Sequence, residues 1–218
     1  MSGSLLKFVK KWPPKKYVFH KQMKGVNTSL AYPYPTFPYV DLSSLNITNE
    51  NKTFYMKAGS PWGSLGNGTW DNPYFVLDND KKVQLWYYAK GTNTGFPEHQ
   101  VYNGSTNNAV GWDNLGDNLI LSWEIDDTEC RVNGNTYTLT NVAYENILGC
   151  YPFGRYGNLN YSDNYIIYLE EFGIKNSNGK YLCRYLPCED TEENKKGLLD
   201  MVNRTFFEVS PAFTFIDD

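Results

Sequence analysis

Histidine is almost missing from this sequence: His20 and His99 are its only two. With so few, no Ser/His/Asp arrangement is readable, and His99 stands among proline and glycine signals that read as loop. Cys130, Cys150, Cys183 and Cys188 are the only cysteines. None stands in a Cys-x-x-Cys spacing and no histidine pair accompanies them, which excludes a zinc site of the usual kind. Four cysteines in 218 residues are too few for a disulfide scaffold. They are expected as buried thiols, although Cys183 and Cys188 are close enough in sequence to meet. No apolar run approaches the ~20 residues that a membrane helix needs. Leu5-Leu6 is interrupted by Lys7 before the apolar core of a secretory leader develops. Neither membrane insertion nor a cofactor is expected. Alanine is scarce and no 3.6-residue apolar periodicity is sustained, which argues against a helical bundle. Gly63-x-x-Gly66-x-Gly68 is followed by neither a lysine nor a helical pattern, so it does not read as a phosphate-binding loop.

Acidic residues are absent up to Asp41, while Lys7, Lys10, Lys11, Lys15, Lys16, Lys21 and Lys24 crowd the first 24 positions. The whole chain nevertheless has a net charge of −4, so a basic start precedes a distinctly acidic body. Such a start is suited to a negatively charged partner. Aromatic residues run through the lysines (Phe8, Trp12, Tyr17, Phe19), and Tyr32-Pro33-Tyr34-Pro35-Thr36-Phe37-Pro38-Tyr39 follows. Proline at this density removes backbone donors and fixes φ near the polyproline value. The segment is also too aromatic for an ordinary disordered linker. Residues 1–50 therefore read as an extended anchoring arm, with residues 1–40 docking on another protein and their rings filling its pockets. The alternative is a segment wrapped over its own domain. The Tyr-Pro run favours protein over nucleic acid as the partner.

What the chain has in quantity is aromatic and turn residues: 18 Tyr, 6 Trp and 18 Gly, with asparagine abundant. That mixture favours strands joined by polar turns. Strands are expected at Thr53–Lys57, Asn72–Leu77, Val83–Tyr88, Leu119–Ile125, Tyr137–Leu139, Ile147–Phe153, Tyr165–Ile174 and Lys180–Leu186. Asn133-Gly134 and Asn178-Gly179 are hairpin turns. Gly91–Gln100 and Asn103–Asn108 read as loops, and Pro187-Cys188 as the end of a strand. The expected fold is an all-β sandwich over residues 51–218, closed by a C-terminal meander.

Two motifs bear on function. Gly197-Leu198-Leu199-Asp200-Met201-Val202-Asn203 reads as a latch. Asp200 and Asn203 bond nearby backbone groups and reverse the chain, Leu198 and Val202 point into the core, and Phe206, Phe207, Phe213 and Phe215 close a terminal strand. Trp123-Glu124-Ile125-Asp126-Asp127-Thr128-Glu129 offers chemistry. On a strand Glu124 and Asp126 share a face, and a bulge brings Glu129 onto it, as nucleophile, helper and acid/base of a retaining glycosidase. The plainer expectation is a solvated strand end that runs into a hairpin, with no catalytic, metal or cofactor residues. Sugar binding without hydrolysis fits the Trp-, Asn- and Asp-rich stretches Trp62–Trp70 and Phe96–Trp112.

The ending resembles that of the concanavalin A-like, laminin G-like jelly-roll domains of tailed-bacteriophage virion proteins. The residues that carry the resemblance are Glu171-Phe172-Gly173-Ile174, Asn178-Gly179, Tyr185-Leu186-Pro187-Cys188, the Gly197–Asn203 element and Phe206-Phe207. Val132–Tyr137 and Phe153-Gly154-Arg155 add to it. Leu199 departs from the pattern, where tyrosine is usual. Separately, Glu124, Asp126 and Glu129 resemble the signature of the family 16 β-glucanases, which share the jelly roll. The phage resemblance implies a non-enzymatic virion structural protein, of head-fibre, capsid-decoration or tail-fibre type. Its expected partners are other virion proteins and further copies of itself, a trimer first, with host-surface glycans as a possible ligand class.

Overall fold

In Thr53–Gly59 the side chains of Phe54, Met56 and Ala58 are buried while those of Thr53, Tyr55 and Lys57 are half-exposed. Leu121–Ile125 repeats the pattern, with Leu121, Trp123 and Ile125 buried. This is the period-2 signature of strands that have one face in a core. The structure is a computed structural model that describes residues 12–27, 39–45, 47, 52–59, 72–78, 84–89, 97–102, 107–109, 120–126, 128–139, 147–152, 165–209 and 213–217.

In chain order the strands are β1 Tyr17–Phe19, β2 Gln22–Asn27, β3 Val40–Asp41, β4 Thr53–Gly59, β5 Asn72–Asp78, β6 Gln84–Ala89, β7 Pro97–Tyr102, β8 Asn107–Ala109, β9 Leu121–Ile125, β10 Glu129–Val132, β11 Asn135–Thr138, β12 Gly149–Tyr151, β13 Tyr165–Lys175, β14 Tyr181–Asp190, β15 Lys195–Asp200, β16 Phe206–Glu208 and β17 Thr214–Ile216. Among the described residues the only helical element is a 3-10 turn, Ser43–Leu45. The protein is all-β. An 11-stranded antiparallel sheet runs β11-β10-β9-β4-β13-β14-β15-β16 with β1, β2 and β17 attached, and a 6-stranded sheet runs β3-β12-β5-β6-β7-β8. One apolar cluster draws on both, with Val40, Leu42, Ile147 and Cys150 joining Met56, Trp123, Phe172 and Leu198. This arrangement is consistent with a β-sandwich.

The meander β13-β14-β15-β16 is consecutive in sequence and in space. At Asn133-Gly134 both residues take positive φ, 48° and 86°, as a two-residue hairpin turn requires. The second hairpin is wider than its Asn178-Gly179 signal implies. Only Gly179 takes positive φ, at 74°. Asn176 organises that turn, its side-chain Oδ1 accepting from the backbone N–H groups of Asn178 and Lys180.

Three expectations are corrected. Pro187-Cys188 does not end β14, which continues to Asp190. β13 pairs with β14 only as far as Phe172↔Tyr185, and beyond Pro187 the same edge of β14 takes β1 instead. Proline, which has no N–H, thus stands where that edge changes partner, and its carbonyl accepts from His20 N–H. Pro97–Tyr102 and Asn107–Ala109 are strands rather than loops, with Trp86↔Gln100 and Val101↔Asn108 among their pairs. Most of their own residues are poor strand formers; the aromatic neighbour Gln84–Ala89 supplies the template for Pro97–Tyr102, which in turn pairs with Asn107–Ala109. Val202 is 40% exposed. It sits in the turn after β15, while Leu198 and Leu199 are both buried.

The N-terminal region is where the topology departs most from local reading. β13 and β14 diverge beyond Phe172↔Tyr185, and the β1–β2 segment enters the fork. β2 pairs with β13 from Tyr165↔Asn27 to Leu169↔Met23, and β1 pairs with β14 from Tyr17↔Asp190 to Phe19↔Cys188. β17 then lies on the outer edge of β2. Met23 is fully buried, Lys16 Nζ bonds Asp190 Oδ2 at 2.6 Å, and Tyr17 stacks on Phe206. Residues 12–27 thus lie over their own domain, as the alternative reading has it. The Tyr32–Pro38 run lies outside the described residues.

Candidate functional site

Among the described residues, the outer face of the large sheet carries a dense cluster of polar side chains. Along β9, β10, β4, β13 and β14, the residues that alternate with the core project Glu124, Arg131, Tyr55, Lys57, Glu171, Lys175, Tyr181 and Arg184 to this side. Glu171 is there because of a register shift between Leu169 and Glu171. Counting by twos from the buried Leu169 would send Glu171 inward, and the bulge turns it out.

Glu171 is the centre of this cluster and its side chain is only 9% exposed. Arg184 Nε and Nη2 donate to Oε2 at 2.9 and 2.7 Å. Tyr55 Oη donates to Oε1 at 2.8 Å, and Lys57 Nζ lies 3.4 Å from the same oxygen. Burial pushes the Glu171 carboxyl up, but the hydrogen bonds from Arg184 and Tyr55 and the two cations outweigh it and hold the group below the ordinary glutamate range. Burial, followed by the bond to Glu171, pushes the Tyr55 hydroxyl up, so this tyrosine is a donor and not a nucleophile at neutral pH. Lys175 Nζ sits over two rings, 4.8 Å from the Tyr55 centroid and 5.1 Å from that of Tyr181. Gly173 makes room between them. A Cβ at that position would lie 2.5 Å from Cys183 O and 3.1 Å from Tyr181 Cε1. The result is a half-exposed surface on which two tyrosine rings meet edge to face, 6.4 Å apart and 78° between planes, among paired charges.

Glu124, Asp126 and Glu129 do converge, through the β9–β10 hairpin and not through a bulge. Arg131 pairs with Glu124 across the strands and reaches all three acids, Glu129 at 2.6 Å, Glu124 at 3.8 Å and Asp126 at 3.9 Å. Lys175 adds a second cation 3.6 Å from Glu124. Asp126 is occupied by the turn, where its Oδ1 accepts from Thr128 N–H, Thr128 Oγ1–H and Glu129 N–H. Removing one of these half-exposed charges leaves the others in place. Glu124→Gln is expected to change the unfolding free energy by no more than about 0.5 kcal/mol, measured by urea titration.

The latch is built as the sequence implies, apart from Val202. Asp200 Oδ1 accepts from the N–H groups of Val202, Asn203 and Arg184, and Asn203 Nδ2 donates to Asp200 Oδ2 and to Leu182 O. Phe206 and Phe207 pair with β15, whereas Phe215 lies on β17, which pairs with β2. All four cysteines are free and buried. Burial pushes the thiols of Cys130, Cys183 and Cys188 up to about 12, which leaves them unreactive at neutral pH. The Trp62–Trp70 stretch lies outside the described residues, and of Phe96–Trp112 only the backbones of β7 and β8 are described. Among the described residues no helix is long and apolar enough to cross a membrane.

Compared with known proteins, the chain matches no family model and no curated protein. The functional reading therefore rests on its own residues and on the resemblance of its ending. Sequence reasoning missed the Tyr55–Glu171–Arg184 cluster. The available signal was the pair Glu170-Glu171 inside an otherwise apolar strand, which marks a bulge.

Proposed function

We propose that this chain is a non-enzymatic structural protein of a bacteriophage virion, of head-fibre, capsid-decoration or tail-fibre type. In this reading a concanavalin-like jelly roll is displayed outward, and the part of residues 1–40 that is not built into the sheet as β1 and β2 contacts other virion proteins. The observation that supports it is the construction of the closing meander. Several of the residues that carry the resemblance are engaged in holding strands together: Asp200 and Asn203 in the latch, Pro187 at the fork, Phe172 stacked on Tyr185. The acids that resemble a glycosidase signature are held by Arg131 and by a turn, which supports the non-enzymatic side of the reading. The surface around Tyr55 and Tyr181 carries residue types that meet host-surface glycans, aromatic rings beside paired charges that can bond hydroxyls.

The test is fractionation. Phage particles from the source culture are purified by density gradient and their proteins are identified by mass spectrometry. Peptides of this chain should co-sediment with capsid or tail proteins, and their confinement to the soluble fraction would overturn the assignment. In parallel, purified protein is assayed on a β-glucan panel. Hydrolysis that Glu124→Gln abolishes would replace the structural reading with the enzymatic one.

A further inference from the structure

His20 stands at the bend between β1 and β2 and draws three parts of the chain together. Its backbone N–H donates to Pro187 O of β14. Its ring is stacked on Phe215 of β17, with centroids 3.8 Å apart and planes 8° apart. Its Nδ1 lies 2.9 Å from Asp217 Oδ1 and 3.0 Å from Oδ2, just past the end of β17. Its Nε2 is buried and has no hydrogen-bond partner among the described residues. The Glu189 carboxylate of β14 stands 3.8 Å from that nitrogen.

With a carboxylate on either side, the charge of the ring decides whether the site is satisfied. A carboxylate only accepts, so Asp217 keeps a proton on Nδ1 in both forms of the ring. In the neutral ring Nε2 is then a bare, buried acceptor that faces a second negative charge. Protonation places an N–H on Nε2, and the charged ring bridges Asp217 and Glu189. Imidazoles make this change between about pH 5 and 8, a range over which lysines and ordinary carboxylates keep their charge. The other charged groups around the bend are engaged. Lys21 N–H donates to Asp217 Oδ1, Gln22 Nε2 to Glu170 of β13, and Lys16 Nζ to Asp190 of β14. Lys196 of β15 donates to Phe213 O and lies 5.8 Å from the Phe215 centroid. The bond to His20 holds the Asp217 carboxyl below the ordinary aspartate range. Its contribution is therefore complete above that range and is lost only as pH falls through the lowered value.

The strand that this bend holds has little else. β17 pairs with β2 from Thr214↔Lys24 to Ile216↔Gln22, and with no other described strand. We propose that His20 is a proton-operated clasp for β17. Its charged ring fastens the strand to the β1–β2 bend and to β14, and its deprotonation loosens β17 and bares the outer edge of β2. The inference stands on the geometry at His20 and does not require the virion reading.

His99 is the only other histidine, which makes the test clean. Hydrogen exchange of the full chain is followed by mass spectrometry from about pH 5.5 to about pH 8, each rate divided by its intrinsic value at that pH. Protection of the peptide that covers β17 should fall roughly two- to fivefold over this range, the span that a partly exposed ion pair supplies. The fall should persist in His99→Gln, vanish in His20→Gln and shrink in Asp217→Asn, whose exposed position makes the substitution safe for folding. Unchanged protection of β17 in the parent overturns the clasp without recourse to any variant. So does an equal fall throughout the large sheet, which marks a global loss of stability, and so does a fall that survives in His20→Gln.

Discussion

Asp200→Ala is expected to lower the unfolding free energy by about 3–4 kcal/mol, the sum of several lost charge-assisted bonds and of buried donors left without an acceptor. Asp200 is 1% exposed, so water does not readily replace the missing carboxylate. One oxygen gathers three backbone N–H groups from two segments, the turn at Val202 and Asn203 and the strand at Arg184. The other holds the Asn203 amide, which in turn donates to Leu182 O. Removing the carboxylate therefore loosens the turn and its tie to β14 together. For a chain of this size the loss corresponds to a fall in Tm of roughly 10 °C, readable by calorimetry. Asp200→Asn should recover part of it, because the amide oxygen serves the three backbone donors. The amide NH2 then faces the NH2 of Asn203, so recovery stays incomplete until Asn203 turns over. An Asp200→Ala variant as stable as the parent would show that the latch is not a stabilising element.

Features written over short distances were legible in the sequence. Asn133-Gly134 specifies its turn because few other pairs tolerate two positive φ angles. The alternation Phe54, Met56, Ala58 specifies which face of β4 is buried. Asp200 and Asn203 announce a side-chain-bonded reversal. What could not be read depends on pairing between distant segments. Nothing in Tyr17–Phe19 or Gln22–Asn27 says that they enter a fork between β13 and β14, about 150 residues further on. Pro187 reads as a strand end because the change of partner that accommodates it is invisible locally. Pro97–Tyr102 is a strand because β6 beside it is one. Of the candidate site, the acids of the β9–β10 hairpin were visible but their shared Arg131 was not. The Glu171 cluster was hidden by a one-residue bulge, which reverses the face that period-2 counting assigns.

That cluster gives the second large effect. Arg184→Ala is expected to cost about 2 kcal/mol at pH 7. Breaking a buried ion pair typically costs ~3–5 kcal/mol, and the figure is reduced here because the Arg184 side chain is 40% exposed. The loss falls on Glu171, which keeps Tyr55 and Lys57 but no longer has the two donors that most oppose its burial. The pH dependence follows from the sign of its shift. In the folded parent the carboxyl lies below its unfolded value, so its contribution is complete above the unfolded pKa and is lost as pH falls through the folded one. The difference between parent and variant should be largest at neutral pH and should shrink as acid protonates Glu171. A pH-independent difference in urea titrations would mean that Arg184 acts by packing on Tyr181 rather than through the carboxylate. Arg184→Lys keeps the charge without the two-donor grip and should fall between the two. Because the Arg184 N–H is itself held by Asp200, the same residue carries the latch on its backbone and the surface cluster on its side chain. The Asp200→Ala and Arg184→Ala losses should therefore fail to add, by about 0.5 kcal/mol or more in a double-mutant cycle. Strict additivity would show that the outer face is ordered without help from the latch.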